Sequence, residues 1–283
     1  MPENTLTPVS AQIRAEFRPK AMNFTAFEVG LDALYAANLR QCRLAIGVGQ
    51  DVLARDLGIS LSQYRRYESG RDYMRMGTTA RYMMHTGIPF QYFFLGGPYD
   101  YLFSSLTIRL DLLRVQMFVG QQNDRVFTAL ITLLSELMDI ALPPPPSEDG
   151  LYWPSQDEVA AELPGYYLMV SNGLRHFREV LALSQEDLAE LLCIAPSTLG
   201  SYEKAKNEPH FNVIMALRLW AATGVNPVWL TYGSHFFNMR RLQHRRMEYL
   251  CQLLHASPVP MLPLLIRAID ALTAFRVESG RSR

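Results

Sequence analysis

The chain has 283 residues, 49% of them hydrophobic, and its 27 basic residues are balanced by 27 acidic ones. That length accommodates about two ordinary domains, and zero net charge excludes a general polyanion binder, so any nucleic-acid contact must come from a local basic surface. Cys42, Cys193 and Cys251 are single and unevenly spaced, and no signal-like N-terminus or membrane-length apolar run is present, so a reduced cytoplasmic protein is expected.

Residues 1–26 mix Pro, Asn, Thr and charges without sustained periodicity and read as an N-terminal arm, with one short helix around Ser10 to Phe17. From Phe27 to Ala45 the apolar residues recur at helical spacing; shorter helices follow over Gln50 to Leu57 and Leu61 to Glu68, then Thr78 to Thr86 and Pro89 to Phe94. The stretch from Leu39 repeats 135 positions later, with Leu39/Leu174, Arg43/Arg178, Gln50/Gln185, Ala54/Ala189, Ile59/Ile194, Ser62/Ser197, Tyr67/Tyr202 and Glu68/Glu203 all in one register. In this second copy Ser184 precedes Gln185-Glu186-Asp187 as an N-cap before an acidic first turn, and Pro196 suits the first position of the next helix. Only Cys193-Ile194-Ala195 separates those two helices, so they must cross steeply; in the first copy Gly58 supplies the turn.

Both copies resemble the helix-turn-helix of the lambda-repressor and Cro family, often called XRE-type. The resemblance rests on the leading Gln, the Ala four residues on, the apolar residue after the turn, and the closing Tyr-Glu. It implies an all-α fold of two homologous five-helix domains, sequence-specific binding to double-stranded DNA, and an Arg–Glu pair joining helices at Arg43–Glu68 and Arg178–Glu203. The family's base-reading positions fall on Leu61, Ser62 and Arg66 in the first copy and on Pro196, Ser197 and Ser201 in the second. Gln50 and Gln185 open the preceding helices and are expected at phosphates, together with Arg65, Arg71 and Arg75 in the first copy and Thr198, Lys204 and Lys206 in the second. The local charge supports the first copy as the stronger reader: Leu39 to Arg81 holds eight Arg and Lys against four acids, whereas Leu174 to Arg218 holds five against six.

The duplication extends beyond the motif. Leu110 to Phe118 aligns with Arg245 to Leu253, and Asp124 to Ile140 with Val259 to Phe275, so each unit carries a helical hairpin. Val126, Leu130, Leu133 and Leu137, and likewise Met261, Leu265, Ala268 and Leu272, form stripes that a hairpin cannot bury alone, which implies an internal pseudo-dimer or a homodimer through the hairpins. The expected organisation is an arm at 1–26, a first unit at 27–142, a Pro-rich linker at 143–165, a second unit at 166–276 and a tail at 277–283.

Two features keep alternatives open. The aromatic run Phe90, Tyr92, Phe93, Phe94, Tyr99 and Tyr101 reads as core rather than a ligand pocket. The basic run Arg240, Arg241, His244, Arg245 and Arg246 is either a solvated helix face or a phosphate-binding edge. No metal, cofactor or catalytic motif is present, so no enzyme is expected. A transcriptional regulator, a repressor more readily than an activator, is the leading expectation, with a protein-interaction module such as an antitoxin or antirepressor as the alternative.

Overall fold

A computed structural model describes residues 8–104, 108–141, 151–204, 211–256 and 260–281, side chains included through 271. Among these residues the structure is helical, with one isolated antiparallel bridge and no strand. The arm forms α1 (Pro8–Glu16) and the single turn α2 (Phe24–Phe27), and Gly30, at φ +77°, separates these from α3 (Leu31–Ile46). The helix expected to run unbroken from Phe27 therefore starts later, because a residue in the left-handed region cannot continue a right-handed helix. Then come α4 (Gln50–Asp56), α5 (Leu61–Glu68), α6 (Met76–Thr86) and a 3-10 turn over Phe90–Phe94, followed by the hairpin α7 (Leu113–Gln121) and α8 (Asp124–Met138).

Next is α9 (Gln156–Glu162), with a capping box between Ser155 and Glu158. It falls inside the segment read from the sequence as linker through residue 165, so that segment is partly structured: Val159 and Leu163 are buried in the core. Pro143 to Gly150, the first part of the expected Pro-rich linker, lies outside the described residues. The second unit is α10 (Tyr166–Val180), α11 (Gln185–Leu191), α12 (Pro196–Lys204), α13 (Val213–Thr223) and a 3-10 turn over Pro227–Thr231, with the hairpin α14 (His235–Ala256) and α15 (Leu262–Arg281).

The two units pack against each other. Met76 N–H donates to the Phe211 carbonyl at 3.1 Å and Val213 N–H to the Met74 carbonyl at 3.0 Å, on either side of the Arg75–Asn212 bridge. Met74/Phe211 and Met76/Val213 are each 137 apart, the offset that aligns Gly87 with Gly224, so each bond is the counterpart of the other. That reciprocity is the mark of a two-fold contact. It also explains why α13 buries Val213, Leu217, Trp220 and nearly every other position: the helix is covered by its own unit and by the other one.

Other contacts break the symmetry. The arm of the first unit crosses to the second, where Arg18 N–H and Lys20 N–H donate to the carbonyls of Thr223 and Ala222, and Glu16 accepts from Trp229 Nε1 at 3.0 Å. Glu28 receives a forked bond from Arg218 at 2.8 and 2.6 Å.

The hairpins form a second core, in which Val115, Val119, Phe127, Ile131 and Leu134 meet Met247, Leu250, Leu265 and Ile269. This corrects the face of α8 expected from the sequence. Val126, Leu133 and Leu137 are 40%, 57% and 68% exposed, and the buried stripe is displaced by one residue, to Phe127, Ile131 and Leu134. Nearly every turn of α8 offers two apolar faces, and the second hairpin covers one of them, with the Arg246 guanidinium over the Phe127 ring. In α15 Leu265 is buried as expected and Ala268 is exposed, while the Leu272 side chain lies outside the described residues.

Candidate nucleic-acid interface

Each helix-turn-helix is locked from beneath by one carboxylate. Glu68 accepts from Arg43 Nε at 2.5 Å and Nη2 at 3.3 Å, from Gln50 Nε2 at 2.7 Å and from the Tyr64 hydroxyl at 3.0 Å. In the second unit Glu203 accepts from Arg178 at 2.8 and 3.2 Å and from Gln185 at 2.7 Å; Leu199 stands where Tyr64 does and adds no donor. Burial alone would raise both carboxyls, but the hydrogen bonds from the arginine and the glutamine prevail and hold them below their ordinary value. This ties the first helix of each unit to the end of the second helix of the motif, with the intervening helix clamped through its leading glutamine.

The turn between the motif helices differs. Gly58 adopts φ +67° at no steric cost, whereas Cys193 holds the same position at φ +52°, where a side chain is strained by about 1 to 2 kcal/mol. The turn keeps its shape despite the substitution, because the Cys193 and Ile194 amides still reach the Glu190 and Ala189 carbonyls at 3.0 Å.

In α5 the face formed by Tyr64 and Tyr67 is buried, which turns Ser62, Arg65 and Arg66 outward. Ser60 caps the helix by accepting from Gln63 N–H at 3.1 Å, and Leu61 is half-buried beside it. The Arg66 side chain is 55% exposed, and its guanidinium is 3.9 Å from Asp72, too long to immobilise it. Arg65 donates to Gln50 Oε1 at 3.4 Å, and Arg71 is exposed just beyond the helix. Gln50 is thus engaged with both Glu68 and Arg65, so its amide orders the site in addition to whatever it meets outside. Arg75 stands apart from this group: half-buried at the inter-unit bridge, it lines a separate cleft with Gln63, Arg81 and Tyr167.

In α12 Leu199 and Tyr202 face inward, leaving Pro196, Ser197, Ser201 and Lys204 exposed and Thr198 half-buried. The Ser201 hydroxyl donates back to the Thr198 carbonyl at 2.7 Å, so only its acceptor capacity is open. Lys206 lies outside the described residues.

Arg40 was absent from the residues singled out by sequence. It is exposed and borders an open cleft with Arg43, Gln50, Arg65 and Ser69, so it joins Arg65 in a basic rim at the C-terminal end of α5. The signal was available, since Arg40 sits one helical turn before Arg43 and so shares its face. Its counterpart Arg175 is held, donating to the Glu203 carbonyl at 2.6 Å.

The basic run on α14 is drawn inward at Arg246 and half-buried at Arg240, Arg241, His244 and Arg245. Arg246 is 5% exposed, donates to the Gln122 carbonyl at 2.6 Å and to Asp124, and lies 3.6 Å from the Trp153 ring centre; Arg241 lies over Trp229. Arg246 thus joins the two hairpins, and Arg241 ties α14 to the 3-10 turn of its own domain.

Among the described residues no group of three His, Cys, Asp or Glu side chains is placed to hold a metal ion, and no helix is long and apolar enough to cross a membrane. No curated protein and no solved structure matches the chain. Two family matches do: a helix-turn-helix domain family over residues 34–89 and a second helix-turn-helix family over residues 174–230. With the geometry of α4–α5 and α11–α12, they identify two lambda-repressor-like (XRE-type) helix-turn-helix domains in tandem within this chain.

Proposed function

We propose that the protein is a sequence-specific DNA-binding transcriptional regulator, acting as a repressor, in which one chain reads two unlike half-sites. The observation that carries this reading is the pseudo-twofold pairing of two helix-turn-helix units whose second helices keep their outer faces exposed. Regulators of this geometry meet a two-fold site with two copies of one motif, and here a single chain supplies both. Because the outer faces differ, Leu61, Ser62 and Arg66 against Pro196, Ser197 and Ser201, the half-sites differ too. Arg66 reads guanine through two hydrogen bonds, while Arg40, Arg65 and Arg71 hold the backbone on either side. The second unit, with Gly200 in place of Arg65 and Arg175 engaged internally, binds more weakly and sets orientation.

The test is selection from a random duplex library, followed by fluorescence anisotropy of the selected site across a salt series. The expected result is a site with two unlike halves, and an affinity that falls linearly with salt on logarithmic axes. A flat salt response, or no enrichment over random duplex, overturns the reading. One observation favours a protein-interaction module instead: the outward apolar face of α8, with Val126, Leu133 and Leu137 exposed. Failure of the selection together with capture of a protein through that face would support it.

A further inference from the structure

A cavity of about 80 Å³ straddles the pseudo-twofold contact, away from the outer faces of α5 and α12. Its wall takes Phe90 and Gln91 from the first unit and their counterparts at the 137 offset, Pro227 and Val228, from the second. Arg240, Arg241 and His244 of α14 line it as well, Arg241 with its guanidinium over the Trp229 ring.

Two polar groups there lack the partner their chemistry requires. Gln91 is 7% exposed, yet its Oε1 has no hydrogen-bond donor. Arg240 donates to Gln243 Oε1 and faces no carboxylate among the described residues, and burial pulls its pKa down to about 10. The nearest acid on the helix, Glu248, is 3.3 Å from His244 and 43% exposed, so it serves His244. A half-desolvated guanidinium without a counter-charge is unfavourable, and an orphaned buried acceptor is too. Both residues line the same cavity, and their deficits ask for an anion and for a hydrogen-bond donor.

We infer that this cavity binds one small hydroxycarboxylate per chain, its carboxylate paired with Arg240, its hydroxyl donating to Gln91 Oε1 and its short apolar body against Phe90 and Val228. The volume sets the size: at roughly 10 to 15 Å³ for each water-sized group it holds about five to eight non-hydrogen atoms. A carboxylate matches the guanidinium fork with two parallel hydrogen bonds, which no neutral isostere can do. The ligand touches equivalent turns of both units, so it is shared across the pseudo-twofold contact. Occupancy does not require DNA.

The experiment is calorimetric titration of the full chain, without DNA, with 2-hydroxyvalerate and with its neutral amide. The expected result is saturable binding of the acid at one site per chain and at least about tenfold weaker binding of the amide. Arg240→Met should lose binding of the acid by a similar factor while its Tm is unchanged or raised, since it removes an unpaired buried charge. Val228→Trp fills the cavity and should abolish binding with Arg240 intact, which decides the matter if the Arg240 variant does not fold. Equal binding of acid and amide, undiminished binding in Val228→Trp, or no binding of the acid up to about 10 mM overturns the inference.

Discussion

The two helix-turn-helix units share their framework and differ in what that framework holds outward. The first closes its carboxylate clamp with four donated bonds and leaves Arg40, Arg65, Arg66 and Arg71 on the surface. The second closes the same clamp without the tyrosine, engages Arg175 internally, and offers serines. Duplication kept the part that positions a helix and released the part that a helix presents. The clamp is structural in both units, while the outer face is where the units have become different instruments.

The largest effect expected from breaking this comparison is in the clamps. Glu68→Ala leaves Arg43 half-buried without its counter-charge and should destabilise the chain by about 3 to 5 kcal/mol, measured by urea unfolding. Glu203→Ala should cost less, because its carboxylate serves one donor group fewer. If the second unit proves the more sensitive, the clamp of the first is not the tighter one. Both carboxyls are held below the ordinary value of about 4.3, so their stabilisation is complete above that pH and lost as pH falls through the lower folded value. Acid unfolding should therefore set in below about pH 4, and Glu68→Gln should flatten the dependence there.

Next comes the seam between hairpins. Ile131→Asp buries a charge in the shared core and should expand the molecule, or unfold the hairpins, at a cost of several kcal/mol; Leu133→Asp, on the exposed face, should alter stability by no more than about 0.5 kcal/mol. Small-angle scattering with thermal unfolding reports both. Equal effects would mean that the outer face of α8 is buried against a second chain in solution.

Arg66→Ala should weaken the preferred duplex by about 1 to 3 kcal/mol and relax preference at one base pair, whereas Arg40→Ala should weaken all duplexes evenly and reduce the salt slope by about 1. Ser201→Ala should act less than Arg66→Ala and only on the other half-site. Competition against a library of single-base variants separates these, and an even loss in Arg66→Ala would reassign it to the backbone. The smallest effect is at the turn: Cys193→Gly should stabilise by about 1 kcal/mol, and Gly58→Ala should destabilise by a similar amount, both read from Tm.

Much of this architecture was legible in the chain. The 135-residue register exposed the duplication, Ser184 and Pro196 marked helix starts, and the family resemblance implied the Arg43–Glu68 pair; the first two are signals between residues close in sequence or tied to a repeated pattern. Helical periodicity is written locally, so the helices could be read along the chain. What periodicity leaves open is which of two apolar faces becomes buried, and α8 chose Phe127, Ile131 and Leu134 over Val126, Leu133 and Leu137 only because Arg246 and the second hairpin lie on that side. The same holds for charge. A run such as Arg240 to Arg246 carries no mark of whether it meets solvent or Trp153, Asp124 and an internal cavity, since that depends on residues about a hundred positions away. The chain by itself determined the two motifs and their inner stripes; the pairing of units across Arg75 and Asn212, and with it the withdrawal of Arg75 from the other basic residues, was decided only when the two copies packed together.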